Sequence, residues 1–274
     1  MSLKDIIGQE KAVNILFALI KRQRVASSYL FCGEPGIGKK TAAINFAKAL
    51  NCRETDFPLY SGHPPTPSLE DGNQRRFDAC DTCDSCRKID RGIHPDFLLV
   101  LSDDRQIKIN EIRMIDDALS FKPFEARKKI VIVDDADTMN ISSANAFLKT
   151  LEEPPEESLI ILVSSNPERL PGTIRSRCSR INFTPLSLES CRRVLEGKIP
   201  GEGLDFAARL SMGRPGLALS SDLMKEKEWF LILFRSMLKA EKDGWTSREE
   251  MDRWFELVLT LFRDMAVLKV TGES

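Results

Sequence analysis

The chain has 274 residues, which at roughly 100–200 residues per domain predicts two domains or three small ones. Forty Lys and Arg against 41 Asp and Glu leave a net charge of −1, so non-specific binding to nucleic acid by bulk charge is not expected. The balance of 42 % hydrophobic and 30 % charged residues is that of a soluble globular protein, and no stretch approaches the ~18 apolar residues of a membrane span.

Residues 9–24 place apolar side chains at helical spacing and end on basic residues, as a helix C-terminus favours. A short strand, SYLFC (28–32), runs into Gly33-Glu-Pro-Gly36-Ile-Gly38-Lys39-Lys40-Thr41, and an Ala-rich helix follows over 41–50. The stretch 51–95 is rich in Pro, Gly and Cys, which disfavours regular elements and marks an inserted module. Strands are expected at 97–101, 128–135, 158–165 and 180–183, with helices at 107–120 and 142–153, the latter stopped by Pro154-Pro155. Apolar strands alternating with amphipathic helices predict an α/β fold with a parallel sheet covered on both faces. Beyond about residue 185 only helices are expected, at 187–198, 203–211, 214–240 and 247–270. The resulting organisation is an α/β domain over 1–185 with its Cys-rich module at about 51–95, a small helical domain over 186–221 and a helical segment over 222–274.

Gly33-x4-Gly38-Lys39 between a strand and a helix is the phosphate-loop pattern. Its glycines (Gly33, Gly36, Gly38) let backbone N–H groups turn toward an anion, and Lys39 would reach the β- and γ-phosphates. The pattern asks for Ser or Thr directly after the lysine, where a hydroxyl holds Mg²⁺. Here Lys40 stands there, and an ammonium repels the metal. Thr41 is one residue late, about 100° further round the helix. The strand 128–135 delivers Asp134 as a candidate Mg²⁺ ligand. Asp135 follows where a glutamate would polarise an attacking water, one methylene short, and a ~1 Å misplacement of such a group costs about 100-fold. ATP with Mg²⁺ is therefore a candidate cofactor whose metal half the sequence disfavours.

Cys80-x-x-Cys83-x-x-Cys86 with Cys52 upstream supplies four thiols at zinc-ligand spacing. A full Cys₄ set leaves no open coordination position, so a structural Zn²⁺ is expected. Seven cysteines without a secretory signal pattern predict a reducing, cytoplasmic setting. Cys32, Cys178 and Cys191 sit on apolar or helical stretches and read as small core residues. With only two histidines, His63 and His94, the sequence argues against His-dependent triads and His-rich metal sites.

The phosphate loop, the Cys₄ insertion, VDDAD (133–137), LKTLEEPP (148–155), SSNPERLP (164–171) and Ser176-Arg177-Cys178 together resemble the AAA+ subunits of the bacterial replication clamp loader, the gamma/tau and delta-prime group of DNA polymerase III. The resemblance implies an AAA+ fold with a helical lid (186–221) and part of a helical collar (222–274). It implies gamma/tau and delta subunits as partners, with the sliding clamp and primer-template DNA reached through the complex and no membrane. It makes Arg177 an arginine finger offered to a neighbouring subunit's ATP, and Ser165 the polar sensor at the end of the strand after the acidic one. Gly216 falls where active subunits carry a sensor arginine. Lys40, Asp135 and Gly216 with Arg177 retained resemble the delta-prime branch, a non-hydrolysing subunit. An active gamma/tau-like ATPase is the alternative, and a free-standing AAA+ DNA-binding module is a third.

Overall fold

The computed structural model describes residues 1–55, 77–102, 106–220 and 247–271. The chain divides into two compact units, Met1–Thr184 and Pro185–Ser274.

In the first unit, five strands form one parallel sheet: β1 (Ser28–Cys32), β2 (Phe97–Val100), β3 (Lys129–Val133), β4 (Ser158–Ser164) and β5 (Ser179–Asn182), in the order β2-β3-β4-β1-β5. Every residue of β1 and β4 is buried, which explains why these strands read as continuous apolar runs rather than alternating ones. Alternate side chains separate into two layers. Leu30, Val131, Val133, Ile160 and Leu162 pack with Ile112, Ile115 and Leu119 of α4 (Ile109–Leu119) and with Ala144, Phe147 and Leu151 of α5 (Ile141–Glu152). On β1 the intervening residues make aromatic contacts, Tyr29 edge-on to Phe46 (5.9 Å) and Phe31 tilted against Phe183 (5.2 Å). Phe46 belongs to α2 (Lys39–Asn51), whose Ala42, Ala43, Ala47 and Ala49 are fully buried. Methyl-sized side chains let that helix lie close on the sheet. The N-terminal helix α1 (Glu10–Lys21) buries Ala12, Val13, Leu16, Phe17 and Ile20 at the spacing of one helical face.

The Cys-rich stretch is more regular than its composition suggests. Asp84–Asp90 forms α3, which buries Cys86 and Ile89, and a second short helix, α6 (Gly172–Arg175), precedes β5. Residues 56–76 of that stretch lie outside the described residues.

The second unit contains α7 (Leu188–Leu195), α8 (Gly201–Leu210), α9 (Pro215–Ser220) and α10 (Arg248–Thr271). Gly213 is required where it stands: its φ is +82°, and a Cβ would meet Leu186 O at 2.8 Å. The expected helix over 214–240 is described only as α9, and its remainder lies outside the described residues. No described helix is long and apolar enough to cross a membrane.

Asp96, at the foot of β2, fixes the turn that feeds β3. Its buried carboxylate accepts the backbone N–H groups of Phe124 (2.7 Å), Glu125 (2.8 Å) and Ala126 (2.8 Å). Burial alone would raise its pKa, but the three N–H donors outweigh it and hold the carboxyl below its ordinary value. A depressed folded-state pKa means that the stabilisation is present above the unfolded value of about 4 and is lost as pH falls through the folded one. Asp96→Ala should cost about 2–4 kcal/mol in urea denaturation at neutral pH and much less in strong acid. A neutral-pH loss below about 1 kcal/mol would show that water satisfies those amides instead.

Candidate functional site

Parallel pairing aligns the ends of three neighbouring strands. Cys32, the last residue of β1, lies opposite Ser164 of β4, and Val133, the last of β3, lies opposite Leu162. Chain leaving these ends supplies the loop 33–38, Ser165 and Asp134-Asp135. The next strand in sequence after β1 is β2, at the far edge, so the sheet order reverses beside β1. Open α/β sheets hold their ligands at such a reversal.

The loop conformation depends on glycine. Gly33, Gly36 and Gly38 have φ of +150°, +77° and +97°. A Cβ on Gly33 would sit 2.6 Å from Phe183 O and 2.7 Å from Ile37 Cδ1. Gly38 is the N-cap of α2, and the first helical bond runs from Ala42 N to Gly38 O (2.9 Å). The N–H groups of Lys39, Lys40 and Thr41 are thus the free donors of the first turn, an anion-binding geometry. Buried Gln9 braces the loop from outside, donating to Ile37 O (3.1 Å) and Thr184 O (2.7 Å). Neither Gln9 nor this contact was visible in the sequence, because a lone polar residue before an amphipathic helix reads as a cap.

Lys39 is buried and its ammonium turns back on the loop, donating to Gly33 O (2.6 Å), Glu34 O (2.5 Å) and Ser165 Oγ (3.1 Å). Burial pushes its pKa below the ordinary value, against the pull of Asp134, Asp135 and Asp137. Ser165 therefore faces the phosphate-loop lysine. Its buried neighbour Ser164 instead donates to Asp137 Oδ1 (2.7 Å), which also accepts Ser165 N–H (3.1 Å). Asp137 is a site residue that sequence reasoning missed. The third acid of VDDAD was the available signal.

Lys40 Nζ lies 2.8 Å from Asp134 Oδ2. The carboxylate that would ligate Mg²⁺ is paired to the residue that replaces the metal's hydroxyl ligand. Thr41 is exposed one position further on. This donor set does not fit Mg²⁺, whereas the loop amides and Lys39 fit a phosphate chain. Asp135 adopts a left-handed conformation (φ +48°), and burial, then Asp134 and Asp137, raise its pKa.

Arg177 lies on the surface between α6 and β5. Its guanidinium donates to Glu152 Oε1 (2.6 Å) and Thr173 O (2.7 Å). Half-exposed Glu152 is a surface ion-pair partner. Arg175 pairs with Glu168, and Arg180 Nε donates to Asn182 Oδ1 (2.8 Å).

The Sγ atoms of Cys52, Cys80, Cys83 and Cys86 lie within 4.8 Å of one another, with Cys52 and Cys83 at 3.9 Å. Tetrahedral ligands at a Zn–S distance of about 2.3 Å stand about 3.8 Å apart, so the cluster could hold a metal ion of that size. Backbone N–H groups of Cys80 and Cys83 point at the sulfurs of Cys52 (3.4 Å) and Cys80 (3.2 Å), the contacts that steady thiolates. A hydrogen bond with the Cys86 thiol holds the Cys52 pKa below its ordinary value, while that of Cys86 rises. Cys32, Cys178 and Cys191 are buried elsewhere.

The cluster is tied to the phosphate-loop helix by Lys48. This lysine is fully buried in α2, and its ammonium meets Asp81 Oδ1 (2.5 Å), both Asp90 oxygens (2.8 Å) and Met1 O (2.9 Å). Burial alone would lower its pKa, but the two carboxylates outweigh that and raise it. Sequence reasoning passed over Lys48; a lysine inside the apolar run AKAL was the signal.

A glycine-turned loop at the end of β1, a lysine at its close and an acid at the end of β3, with β4 between the two strands, define a P-loop module of the AAA+ class. The solved structure of the Thermotoga maritima RuvB Holliday junction branch migration motor shares this fold at a TM-score of 0.50, with 14 % identity over 85 % of this chain and 66 % of that one. The family described as "DNA polymerase III, delta subunit" matches residues 8–62 and 66–187. The Bacillus subtilis DNA polymerase III subunit delta' is 34 % identical over 97 % of this chain and 79 % of its own length. The Escherichia coli DNA polymerase III subunit tau is 33 % identical over 70 % of this chain but only 27 % of its own length. The chain belongs to the DNA polymerase III clamp-loader subunit family, which includes delta-prime and gamma/tau.

The freshly purified, reduced protein should carry about one thiophilic metal ion per chain, and Cys80→Ser/Cys83→Ser should lose it. Stripping the metal should raise hydrogen exchange over residues 77–95 before the sheet. The rise should extend into the end of α2 through Lys48. Well under one equivalent of metal would refute the site.

Proposed function

We propose that the chain is a non-hydrolysing subunit of a DNA polymerase III clamp loader. In this reading it assembles with gamma/tau and delta subunits and helps place the sliding clamp on primer-template DNA. The observation that carries the reading is the ion pair between Lys40 and Asp134 (2.8 Å), which occupies the Mg²⁺ ligand with a tethered cation. The short Asp135 and Gly216 in place of a sensor arginine support the same conclusion. The Cys₄ metal is zinc in a purely structural role, since four thiolates leave no position for a substrate. Residues 186–221 serve as the AAA+ lid and 222–274 as part of the collar that joins subunits.

Within this reading Arg177 works in trans. Its guanidinium lies on the surface beside Ser176 and Cys178, which supports its being offered to a neighbour's γ-phosphate. Leaving Glu152 costs little, because exposed ion pairs are worth about 0–1 kcal/mol. An arginine is suited to the task because its planar fork neutralises charge on two phosphate oxygens at once.

The isolated chain should show negligible ATP turnover, and Lys40→Thr alone should not restore it because Asp135 and Gly216 remain. Turnover at the rate of an AAA+ motor, abolished by Lys39→Ala, would establish the gamma/tau-like ATPase instead.

Arg177→Ala should shift the unfolding midpoint little, with a cost of about 1 kcal/mol or less. It should lower the DNA- and clamp-stimulated ATPase of the reconstituted complex. Trans arginine fingers supply about 10³–10⁵ in rate in Ras-type NTPases, but here other interfaces keep theirs, so a several-fold loss is expected. Unchanged turnover in a complex shown intact by gel filtration would return Arg177 to a structural role.

A further inference from the structure

We propose that Arg127 is the countercharge of the Cys52, Cys80, Cys83 and Cys86 cluster, and that its guanidinium slows the loss of a metal ion held there. The inference rests on the cluster holding a metal and is independent of the clamp-loader reading.

Four thiolates around one divalent ion leave an excess of negative charge. In a partly buried site that excess is weakly screened, so a fixed cation nearby stabilises it more than the same cation would at the surface. The neighbouring cations Lys48, Arg53 and Lys88 are matched by carboxylates. Lys48 pairs with Asp81 and Asp90, Lys88 with Glu125 (2.6 Å), and Arg53 with Glu125 (3.5 Å) and Asp84 (3.7 Å). Arg127 differs. Its Nη1 donates to Thr55 Oγ1 (2.8 Å) and its Nη2 to Thr55 O (3.1 Å), both neutral, and no carboxylate among the described residues pairs with it. Burial pulls the guanidinium below its ordinary pKa, and the sulfurs of Cys52 and Cys83 are the charges that oppose that pull. A partly buried arginine is costly without an opposite charge, and here the opposite charge is sulfur.

Arg127 is held in place from both sides. The preceding Ala126 N–H donates to Asp96 Oδ2 (2.8 Å). The following Lys128 exchanges two bonds with buried Asn51: its N–H donates to Asn51 Oδ1 (3.1 Å), and its carbonyl accepts from Asn51 Nδ2 (2.9 Å). Asn51 directly precedes Cys52. Thr55 completes the link. Its buried hydroxyl accepts from Arg127 and donates to Cys52 O (2.9 Å). The guanidinium is therefore positioned before any ion binds, so its attraction for the thiolates costs no further ordering. Its hydrogen bonds go to Thr55 rather than to sulfur, so its action on the cluster is through charge.

The test follows release of Zn²⁺ from the full, reduced chain to an excess of a chromogenic chelator at neutral pH. Arg127→Gln keeps donors for Thr55 but removes the charge, whereas Arg127→Lys keeps the charge. Arg127→Gln should release the metal about tenfold faster than the wild type, and Arg127→Lys should stay within about threefold of it. Thermal unfolding checks that each variant folds, and Arg127→Met replaces Arg127→Gln if the latter does not. The midpoint lost on removing the charge should be larger with Zn²⁺ bound than after its removal, whereas a purely structural role would lower both equally. Release from the neutral variant within about twofold of the wild type would overturn the proposal, as would Arg127→Lys releasing the metal as fast as Arg127→Gln. A wild-type chain that takes up no Zn²⁺ would refute the metal site itself, and the proposal with it.

Discussion

The parallel pairing of β4 with β1 on one side and β3 on the other is the constraint on which the candidate site rests. It sets the ends of three strands side by side, so residues far apart in sequence, Lys39, Asp134 and Ser165, share one small volume. A slip of one residue in either pairing would invert the alternation that buries Leu30, Val131 and Ile160 on one face, so the register is strongly fixed by the core. The loop conformation is fixed separately, by glycines at positive φ and by the Gln9 amide.

A second constraint links the Cys₄ module to this framework. A fully buried ammonium is costly unless compensated, and removal of one partner of a buried pair typically costs about 3–5 kcal/mol. Lys48 avoids that cost only when Asp81 and Asp90 are both in place. Asp81 lies between Cys80 and Cys83, and Asp90 ends α3. The geometry of the thiols and the packing of α2 are thus coupled through one side chain, and α2 begins at Lys39 and Lys40. The thiol cluster is part of the scaffold of the phosphate loop rather than an appended module.

The placement of charge separates the two halves of the proposed mechanism. Lys39 and Lys40 are turned inward, on loop carbonyls and on Asp134. Arg177 is turned outward, on a half-exposed carboxylate and a carbonyl. In the proposed reading the inward cations belong to this chain's own loop, and the outward one is what it would offer to a neighbour. That separation is physically sensible for a subunit that contributes to another's chemistry, because loss of the local metal leaves the surface guanidinium unaffected.

Much of this was legible in the sequence because it depends on local rules. Apolar runs bounded by glycine and proline gave the buried strands 28–32 and 158–165 to within a residue, and the spacing of glycines and cysteines gave the phosphate loop and the sulfur cluster. The incompatibility of Lys40 with Mg²⁺ followed from chemistry alone. The tertiary structure decided what long-range geometry controls: the strand order that brings Asp134 to Lys40, the helix α3 inside a segment whose Pro and Gly content suggested only loop, and the partners of Lys48, Gln9, Asp96 and Arg177. Sequence periodicity reports which face of an element avoids water. It carries no information on which buried charge meets which, because those pairings are set by where distant elements pack.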